Sequence, residues 1–365
     1  MRTTARARVV SRPLPLTLVS LTLLGACADS STAPPSPSAR ETADAARAAP
    51  TFTITELSPI GIARAVNRAG AIVGEAAVTS GATHAVLWRG GAATDLGTLD
   101  GGQFSSAWAI SPKGLIAGAS ETSSGDVHAA LWRDGDVVDL GTLGGSSSQA
   151  TGVNDRGQVV GWSVTSSGAT HAFVWEDGIM HDLGTLGGPN SRALAIDAKG
   201  EIVGWSETAP APFITFTHAV RWLGGEIADL GGVVELNSSA GAINRTGQIA
   251  GWAEVQNGQY DLALWRGQRA SVTTTGSSHF LVNAIDDRGD VVGLALVGTG
   301  DHAFYWRGGT LTDLGTLEPS DISNTSIAYG VNDAGTVVGA STTHDGLQHA
   351  VMWTPVVRRA TSGDR

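Results

Sequence analysis

The sequence is poor in features that define several common protein classes. Its 365 residues include one cysteine, which excludes an intramolecular disulfide and any cysteine-cluster zinc or iron–sulfur site. Only 16 % of the residues are charged, and the formal net charge is −11. A chain disordered along its whole length would be more charged, and nucleic-acid binding requires a basic face. We therefore expect a folded protein that does not bind nucleic acid.

Long apolar runs are also missing, apart from one near the N-terminus. Residues 1–12 carry Arg2, Arg6, Arg8 and Arg12 and no acidic residue, and an apolar segment follows from residue 14 to residue 26. A basic stretch before a short apolar one is typical of an export signal, whereas a spanning helix needs about 20 apolar residues. We predict a signal peptide over residues 1–26 and no transmembrane helix in the mature chain.

The single cysteine, Cys27, directly follows this apolar segment, in Leu24-Gly25-Ala26-Cys27. These residues resemble the cleavage box of bacterial lipoproteins, which implies that Cys27 is lipidated and anchors the chain to a membrane surface at the bacterial cell envelope or outside the cell. Ordinary secretion with an incidental cysteine is the alternative. We predict a disordered Ala/Ser/Pro tether over residues 27–50 and a disordered tail over 358–365.

What the chain has in abundance is internal repetition. A ten-residue pattern recurs seven times, from Ala65–Gly74 to Gly330–Gly339. It consists of a small residue, four variable positions, Gly, one variable position, two apolar residues and a second Gly. A second pattern ends seven times in Trp, at spacings of 41 to 47 residues. Those tryptophans are Trp88, Trp132, Trp175, Trp222, Trp265, Trp306 and Trp353. Two patterns with the same seven periods indicate seven copies of one structural unit.

The third unit shows which secondary structure the repeat predicts. Short β-branched and aromatic runs between Gly, Asn, Asp and Ser turns indicate strands over 149–154, 158–164, 171–175 and 179–186. Four short strands per unit are typical of a propeller blade; a β-solenoid, whose coils are usually shorter, is the rival. We predict an all-β fold, a seven-bladed β-propeller of four-stranded antiparallel blades over residues 51–357.

The ring of blades is expected to close through the N-terminal end of the propeller. The seventh unit has no fourth strand after Trp353, but Glu56-Leu57 occurs where the other units have Asp-Leu. Residues 51–57 should therefore complete the seventh blade alongside residues 349–353. Such closure ties the two ends together and removes exposed strand edges.

A histidine and an acidic residue recur eleven positions apart across one turn of the unit, which predicts contact between neighbouring strands. The fifth unit has Asp261 and Val272 at these positions and lacks the pair. Because the pairs repeat, whereas a catalytic or metal site is asymmetric, we interpret them as structural and expect no catalytic residue, metal or cofactor. The predicted pairs are His84 with Asp95, His128 with Asp139, His171 with Asp182, His218 with Asp229, His302 with Asp313, and His349 with Glu56.

Some features differ between units and are candidates for ligand binding. Tryptophan follows the first pattern only in units three to five, at Trp162, Trp205 and Trp252, where it either stacks on sugars or fills gaps between blades. The enlarged loop 207–217 carries two phenylalanines, which either anchor a partner or cap the blade edge. Since ligands bind variable loops on rigid scaffolds, the candidate binding rim is Phe213, Phe216, Trp205 and Trp252.

The repeats resemble a known family. His171-Ala172-Phe173-Val174-Trp175, the segment from Asp182 to Gly188, and Gly152–Gly157 are similar to the HAF repeat of bacterial extracellular proteins. The resemblance covers about residues 52–355, and the fifth unit departs from it. It implies export and a surface repeat domain, and it implies no established reaction.

Two functions compete for such a protein. The first is a membrane-anchored extracytoplasmic propeller, non-catalytic, that binds or scaffolds an unknown protein or glycan at the cell envelope. The second is a propeller-based glycan hydrolase or lyase with acidic residues on the variable-loop face, an analogy from fold alone. The sequence has no P-loop, Gly-x-Ser-x-Gly or His-Glu-x-x-His element, which favours binding. Titratable residues outside the repeat are scattered over different units: Asp100, Asp126, His279, Asp321, His344 and Asp345.

Overall fold

The computed structural model describes the repeat region almost completely. The described residues are 50–99, 101–209, 216–231, 236–255, 258–267, 269–273, 277, 279–298 and 300–356. The predicted signal peptide, the tether up to residue 49 and the tail 358–365 lie outside them. Within these ranges, the chain forms no helix long and apolar enough to cross a membrane.

In the described part of the chain, twenty-eight strands form seven four-stranded antiparallel sheets, here numbered as blades 1 to 7. Blade 1 contains β2 (Gly61–Val66), β3 (Ile72–Ala77), β4 (Thr83–Arg89) and β5 (Ala92–Asp95). Blade 2 contains β6 (Ser105–Ile110), β7 (Ile116–Glu121), β8 (Val127–Arg133) and β9 (Asp136–Asp139). Blade 3 contains β10 (Gly144–Val153), β11 (Val159–Thr165), β12 (Thr170–Glu176) and β13 (Ile179–Asp182).

The remaining blades repeat this order, except that the last one combines both ends of the propeller. Blade 4 contains β14 (Gly187–Ile196), β15 (Ile202–Thr208), β16 (Thr217–Leu223) and β17 (Glu226–Asp229). Blade 5 contains β18 (Ser238–Ile243), β19 (Gln248–Val255), β20 (Gln259–Arg266) and β21 (Arg269–Thr273). Blade 6 contains β22 (Phe280–Ile285), β23 (Val291–Val297), β24 (Gly300–Arg307) and β25 (Thr310–Asp313). Blade 7 contains β26 (Ser326–Val331), β27 (Val337–Thr342), β28 (Gln348–Pro355) and β1 (Phe52–Ser58).

The blades form a closed ring around a central channel. The first strand of each unit is innermost, and each inner strand contacts the inner strands of its two neighbours. The contact between β2 and β26 joins blade 1 to blade 7. A solenoid has no such contact between its first and last coils, so the predicted seven-bladed propeller is confirmed.

Closure of the ring follows the predicted route. Strand β1 pairs antiparallel with β28, with Ile54 opposite Trp353 and Glu56 opposite Val351. The Asn332 side-chain amide also donates to the Asn67 backbone oxygen at 3.1 Å, which links blades 7 and 1 at the channel. Blade 7 is therefore built from segments almost 300 residues apart.

The repeated tryptophans pack between blades. Trp222 lies against Val160 and Ala172 of blade 3, and its indole N–H donates to the Leu183 oxygen at 2.9 Å. Six of the seven are buried, and Trp175 is partly buried. Each hydrophobic cluster joins side chains of two adjacent blades, so the core is a ring of seven inter-blade layers.

A glycine on each second strand permits a β-bulge on the inner strand. In blade 3 the register shifts between Ala150 and Gly152, and Gly161 lies opposite Ala150. A Cβ on Gly161 would overlap the Gln149 carbonyl oxygen, so no other residue fits. The same shift and the same close approach recur in all seven blades.

The outer strands are shorter than the sequence predicts, and two inner strands are longer. The fourth strand of blade 3 ends at Asp182 and not at residue 186, because the chain turns at Gly184, which has a φ of 70°. Strand β14 begins at Gly187, directly after residue 186, where the sequence ends the fourth strand of blade 3, so residues 187–190, which link the two blades, belong to this strand. The link residues pair with the second strand of the following blade, which the repeat pattern does not reveal.

Candidate functional site

The structure brings each predicted histidine and acidic residue together. In blade 3, His171 Nδ1 lies 2.7 Å from an oxygen of Asp182. In the other four complete pairs the shortest distance is 2.8 to 2.9 Å. His349 Nδ1 lies 2.9 Å from Glu56 Oε1, so the closing strand supplies the acid for blade 7. Because a carboxylate only accepts, the proton of each contact is on Nδ1.

The aspartate of each pair also shapes the link to the next blade. Asp182 Oδ1 accepts the Gly184 backbone N–H at 2.8 Å, and the positive φ of Gly184 turns the chain away from the sheet. The same bond, at 2.7 to 2.8 Å, occurs in all five Asp-Leu-Gly segments. The Asp and Gly of the motif are therefore explained by the fold.

A buried serine that the sequence reasoning missed completes this junction. Ser191 Oγ of blade 4 accepts the Ala172 N–H of blade 3 at 3.0 Å and donates to the Gly184 oxygen at 2.7 Å. Equivalent serines accept the same blade-to-blade bond from Ala85, Ala129, Ala219 and Ala303. A serine two positions before an inner-strand alanine recurs in five of the seven units and was the available signal: Ser105, Ser148, Ser191, Ser238 and Ser326.

These contacts leave the pairs in separate blades. Each His–acid pair joins the third and fourth strands of its own blade. Across the described ranges, no group of three or more His, Cys, Asp or Glu residues is arranged to hold a metal ion. In blade 5, Asp261 is buried, and Val272 lies opposite Ala263. The pairs act locally within blades and do not converge on one site.

The candidate binding rim is only partly described. Phe213 lies outside the described residues. Phe216 is half-buried, and its ring centroid lies 6.4 Å from that of His218. Trp252 packs edge-on against Tyr260 at 5.2 Å and belongs to the cluster between blades 5 and 6. Trp252 therefore packs between blades. The contact of Phe216 with His218 favours the interpretation that Phe216 caps the edge of the blade over the interpretation that it anchors a partner.

The other two tryptophans flank an arginine. Arg192 lies on β14, directly opposite Trp205 on β15. Its guanidinium carbon is 4.5 Å from the ring centroid of Trp162 in blade 3 and 5.8 Å from that of Trp205. All three side chains are half-buried. Burial lowers the pKa of Arg192, because the charged form loses hydration.

One mouth of the channel is a cavity of about 390 Å³, formed by the turns between first and second strands of all seven blades. Its floor is the last Val or Ile of each inner strand. Arg68 of blade 1 pairs with Asp333 of blade 7 and with Asp287 of blade 6, the latter at 3.2 Å. Arg245 of blade 5 donates to Asp287 at 2.6 Å. Four blades are thus joined by ion pairs across this mouth.

Two of the mouth residues, Asp333 and Arg245, are held in their charged forms. Burial opposes ionisation of Asp333, but hydrogen bonds from the Arg68 side chain and the Asp287 backbone outweigh it and lower the pKa of the carboxyl. The hydrogen bond to Asp287 raises the pKa of Arg245. Both shifts result from ion pairing and oppose proton transfer by Asp333 and Arg245.

The unrepeated acids and histidines divide between separate places. Asp126 accepts from Ser124 at 3.0 Å, and His279 Nδ1 lies 3.3 Å from Asp301. Asp100 lies outside the described residues. His344 Nδ1 lies 3.0 Å from Glu318 Oε1, which raises the pKa of His344.

The sequence predicts that Asp321, His344 and Asp345 are scattered over different units, but in the structure they lie at one junction between blades 6 and 7. Hydrogen bonds from Ser323 lower the pKa of Asp321, with a smaller contribution from His344. Hydrogen bonds from Thr343 and from the Leu347 backbone lower the pKa of Asp345. Hydrogen bonds from the His344 backbone and side chain lower the pKa of Glu318. A general acid needs a raised carboxyl pKa, so this cluster favours static ion pairs.

Comparison with known proteins supports the fold. No family model and no curated protein matches the chain. The β-propeller domain of the Trilobed protease from Pyrococcus furiosus is similar at a TM-score of 0.54 and 12 % identity, covering 81 % of this chain and 94 % of that domain. That domain has an open velcro topology, whereas β1 and β28 pair here.

A second similar structure belongs to a larger protein. Pyrococcus horikoshii acylaminoacyl peptidase, in its orthorhombic form, has a TM-score of 0.54 at 10 % identity, covering 82 % of this chain and 52 % of the peptidase. Its uncomplexed form gives 0.51 at 12 % identity, covering 81 % and 52 %. This chain therefore spans about half of that peptidase. At such identities the likeness shows the propeller fold alone.

Proposed function

We propose that this chain is a non-catalytic propeller that binds a glycan or protein at the bacterial cell envelope, held there by a lipid on Cys27. The HAF-like repeats and the lipoprotein-like cleavage box support export and anchoring. The propeller fold supports binding or scaffolding, because a rigid ring can present different side chains from each blade. Cys27 lies outside the described residues, so the anchor rests on the sequence.

One observation carries the proposal: the repeated polar groups are used within the fold. Each described His–acid pair bonds within its blade, and the aspartates also bond the links. The arginines and aspartates at the channel mouth bond to one another. What differs between blades is the surface near the inner strands, where Arg192 lies between Trp162 and Trp205.

The alternative is a glycan hydrolase or lyase that uses acidic residues on the variable-loop face. Such an enzyme needs one carboxyl group kept protonated near neutral pH. Glu318 and Asp321 are partly exposed and Asp345 is exposed, and each has a lowered pKa. They therefore do not supply that acid.

Membrane anchoring is tested with Cys27→Ser in the full chain, which is expressed in a bacterium and keeps its predicted signal peptide, residues 1–26. We expect the parent protein in salt-washed membranes and the variant in the soluble fraction, because the acceptor thiol is gone. Ser31→Ala, in the predicted tether, is the matched control and should stay on membranes. Continued membrane fractionation of Cys27→Ser would contradict lipidation.

Binding without turnover is tested with the same soluble Cys27→Ser chain. It is titrated with purified envelope polysaccharides and with solubilised envelope proteins, and heat of binding and product formation are followed together. The proposal expects saturable binding and no new reducing ends or unsaturated products. Steady release of such products would favour the hydrolase or lyase.

A further inference from the structure

Arg192 differs from the other sheltered arginines of the described chain because no carboxylate meets it. Three arginines in these ranges are half-buried: Arg64, Arg192 and Arg221. Arg64 pairs with Glu75 at 2.7 Å, and Arg221 pairs with Glu201 at 3.2 Å.

No hydrogen bond or ion pair connects the Arg192 side chain to any described residue. Its buried Nε has no acceptor, as is also the case for Arg64 and Arg221, but those two arginines have a carboxylate partner and Arg192 has none among the described residues. Contact with two indole faces only partly offsets the cost of removing the guanidinium from water. A cation retained under these conditions is unfavourable for folding alone.

Arg64 lies at the bulge, two positions after Ile62, which is the blade 1 counterpart of Arg192, but it shows what a sheltered arginine contacts when a carboxylate is present. Arg64 also lies over aromatic rings, at 4.0 Å from Trp108 and 4.8 Å from Tyr329. Its carboxylate partner, Glu75, occupies the second-strand position that directly follows the conserved-pattern glycine Gly74. In blades 3 and 4 that same position is a tryptophan, Trp162 or Trp205. At this position, blades 3 and 4 therefore place an aromatic ring and no carboxylate beside Arg192.

We propose that Arg192, Trp162 and Trp205 form a receptor for the carboxylate of a uronic acid residue in an acidic glycan. The guanidinium is a planar fork that binds a carboxylate through two parallel hydrogen bonds. The indole rings beside it offer flat apolar surfaces whose negative faces suit the C–H groups of a pyranose. A rigid sugar ring also loses less conformational entropy on binding than a flexible acidic side chain.

This inference deepens the proposed binding function and rests on it. It also predicts an unusual salt response. The chain carries a net charge of −11, so a polyanion is repelled at long range and attracted only at the sheltered arginine. Raising the salt from 0.05 to about 0.3 M should therefore weaken binding less than threefold, because screening removes repulsion as well as attraction. A merely basic surface would lose far more affinity.

The test compares two arginine variants in the full-length Cys27→Ser chain. Arg192→Met removes the charge and keeps the length of the side chain, and Arg221→Met is the matched control in the same blade. The probes are oligosaccharides of galacturonate, glucuronate and mannuronate, with their methyl esters as neutral counterparts. Binding is measured by calorimetry and by tryptophan fluorescence, since two indoles line the receptor.

We expect at least one uronate oligosaccharide to bind saturably, its methyl ester to bind at least tenfold more weakly, and Arg192→Met to lose at least tenfold in affinity. Arg221→Met should stay within twofold. Arg192→Met should also melt at the same or a higher temperature, since removing an unpaired cation favours folding. Arg192→Lys keeps the positive charge but lacks the planar guanidinium, so it should fold normally and lose affinity. This variant keeps the test decisive if Arg192→Met does not fold.

Three results would overturn the proposal: no saturable binding of any uronate probe, equal affinity in Arg192→Met, or Arg192-dependent binding of an Asp/Glu peptide in place of the sugars. Failure here is distinguishable from failure of the broader function. If both the parent and Arg192→Met bind an envelope polysaccharide or protein equally, the propeller is a binding protein and this receptor is wrong. If neither binds any envelope component, the broader function fails as well.

Discussion

The contact between His171 and Asp182 in blade 3 provides a direct test of what the repeated pairs do. The Asp182 carboxylate accepts one hydrogen bond from His171 Nδ1 at 2.7 Å and another from the Gly184 N–H at 2.8 Å. Its side chain is 42 % exposed, so solvent screens both interactions. We expect about 1 kcal/mol from the histidine contact and about 1 kcal/mol from the backbone cap.

These magnitudes rank three variants of the pair. Asp182→Ala should lower the free energy of unfolding by about 2 kcal/mol, because both bonds are lost. His171→Ala should cost about 1 kcal/mol, and Asp182→Asn should cost less than Asp182→Ala, because its side-chain oxygen still accepts from Gly184. For about 300 ordered residues, each 1 kcal/mol shifts Tm by roughly 1.6 °C, so Asp182→Ala should melt about 3 °C lower.

The assay is a double-mutant cycle on His171→Ala and Asp182→Ala, measured by urea unfolding and calorimetry. If the pair is structural, the double variant should be only as unstable as Asp182→Ala alone, giving a coupling of about 1 kcal/mol. Affinity for any uronate probe should be unchanged in all variants. Strictly additive losses, or a selective loss of binding at unchanged stability, would refute the reasoning.

Two further predictions concern the inner strands and the channel mouth. Gly161→Ala should destabilise by about 3 kcal/mol in urea unfolding, because its methyl group overlaps the Gln149 oxygen, whereas Gly168→Ala, with a φ of 88° and open space around it, should cost about 1 kcal/mol. The pKa of Asp333 is lowered in the fold, so its contribution is present above the unfolded value of about 3.9 and is lost as pH falls through the lower folded value. Below pH 4, the urea midpoint of Asp333→Asn should therefore decrease less steeply with falling pH than that of the parent protein. An equally steep decrease in both proteins would contradict the assigned ion pair.

Sequence reasoning succeeded where a feature repeats. Seven periods of Gly and Trp patterns predicted seven blades, and Glu56 in the place of Asp predicted the strand that completes blade 7. The eleven-residue spacing placed His171 near Asp182 because the side chains face each other across one hairpin. Such features depend on local geometry, and the copies of the repeat show the same residue types at the same spacing.

The sequence failed where a contact occurs once or crosses blades. Arg192 reads as an ordinary solvated arginine until the fold brings Trp162 of the neighbouring blade against it. Arg68 and Asp333 are 265 residues apart, and no local pattern indicates that they meet. The buried serines did repeat, but a lone hydroxyl among small residues carries little signal until its two backbone partners are known.

The pairing of β1 with β28 has a consequence for how the chain can be rearranged. The Val356 N–H donates to the Thr51 oxygen at 2.8 Å, so these two positions are neighbours in space. A short linker between them, with a new opening at Asp177–Gly178, would give a circular permutant whose first strand is β13 and whose first and last segments share blade 3. Since blade 3 has the same strand order as blade 7, any regular blade of this ring is equally suited to receive the chain ends.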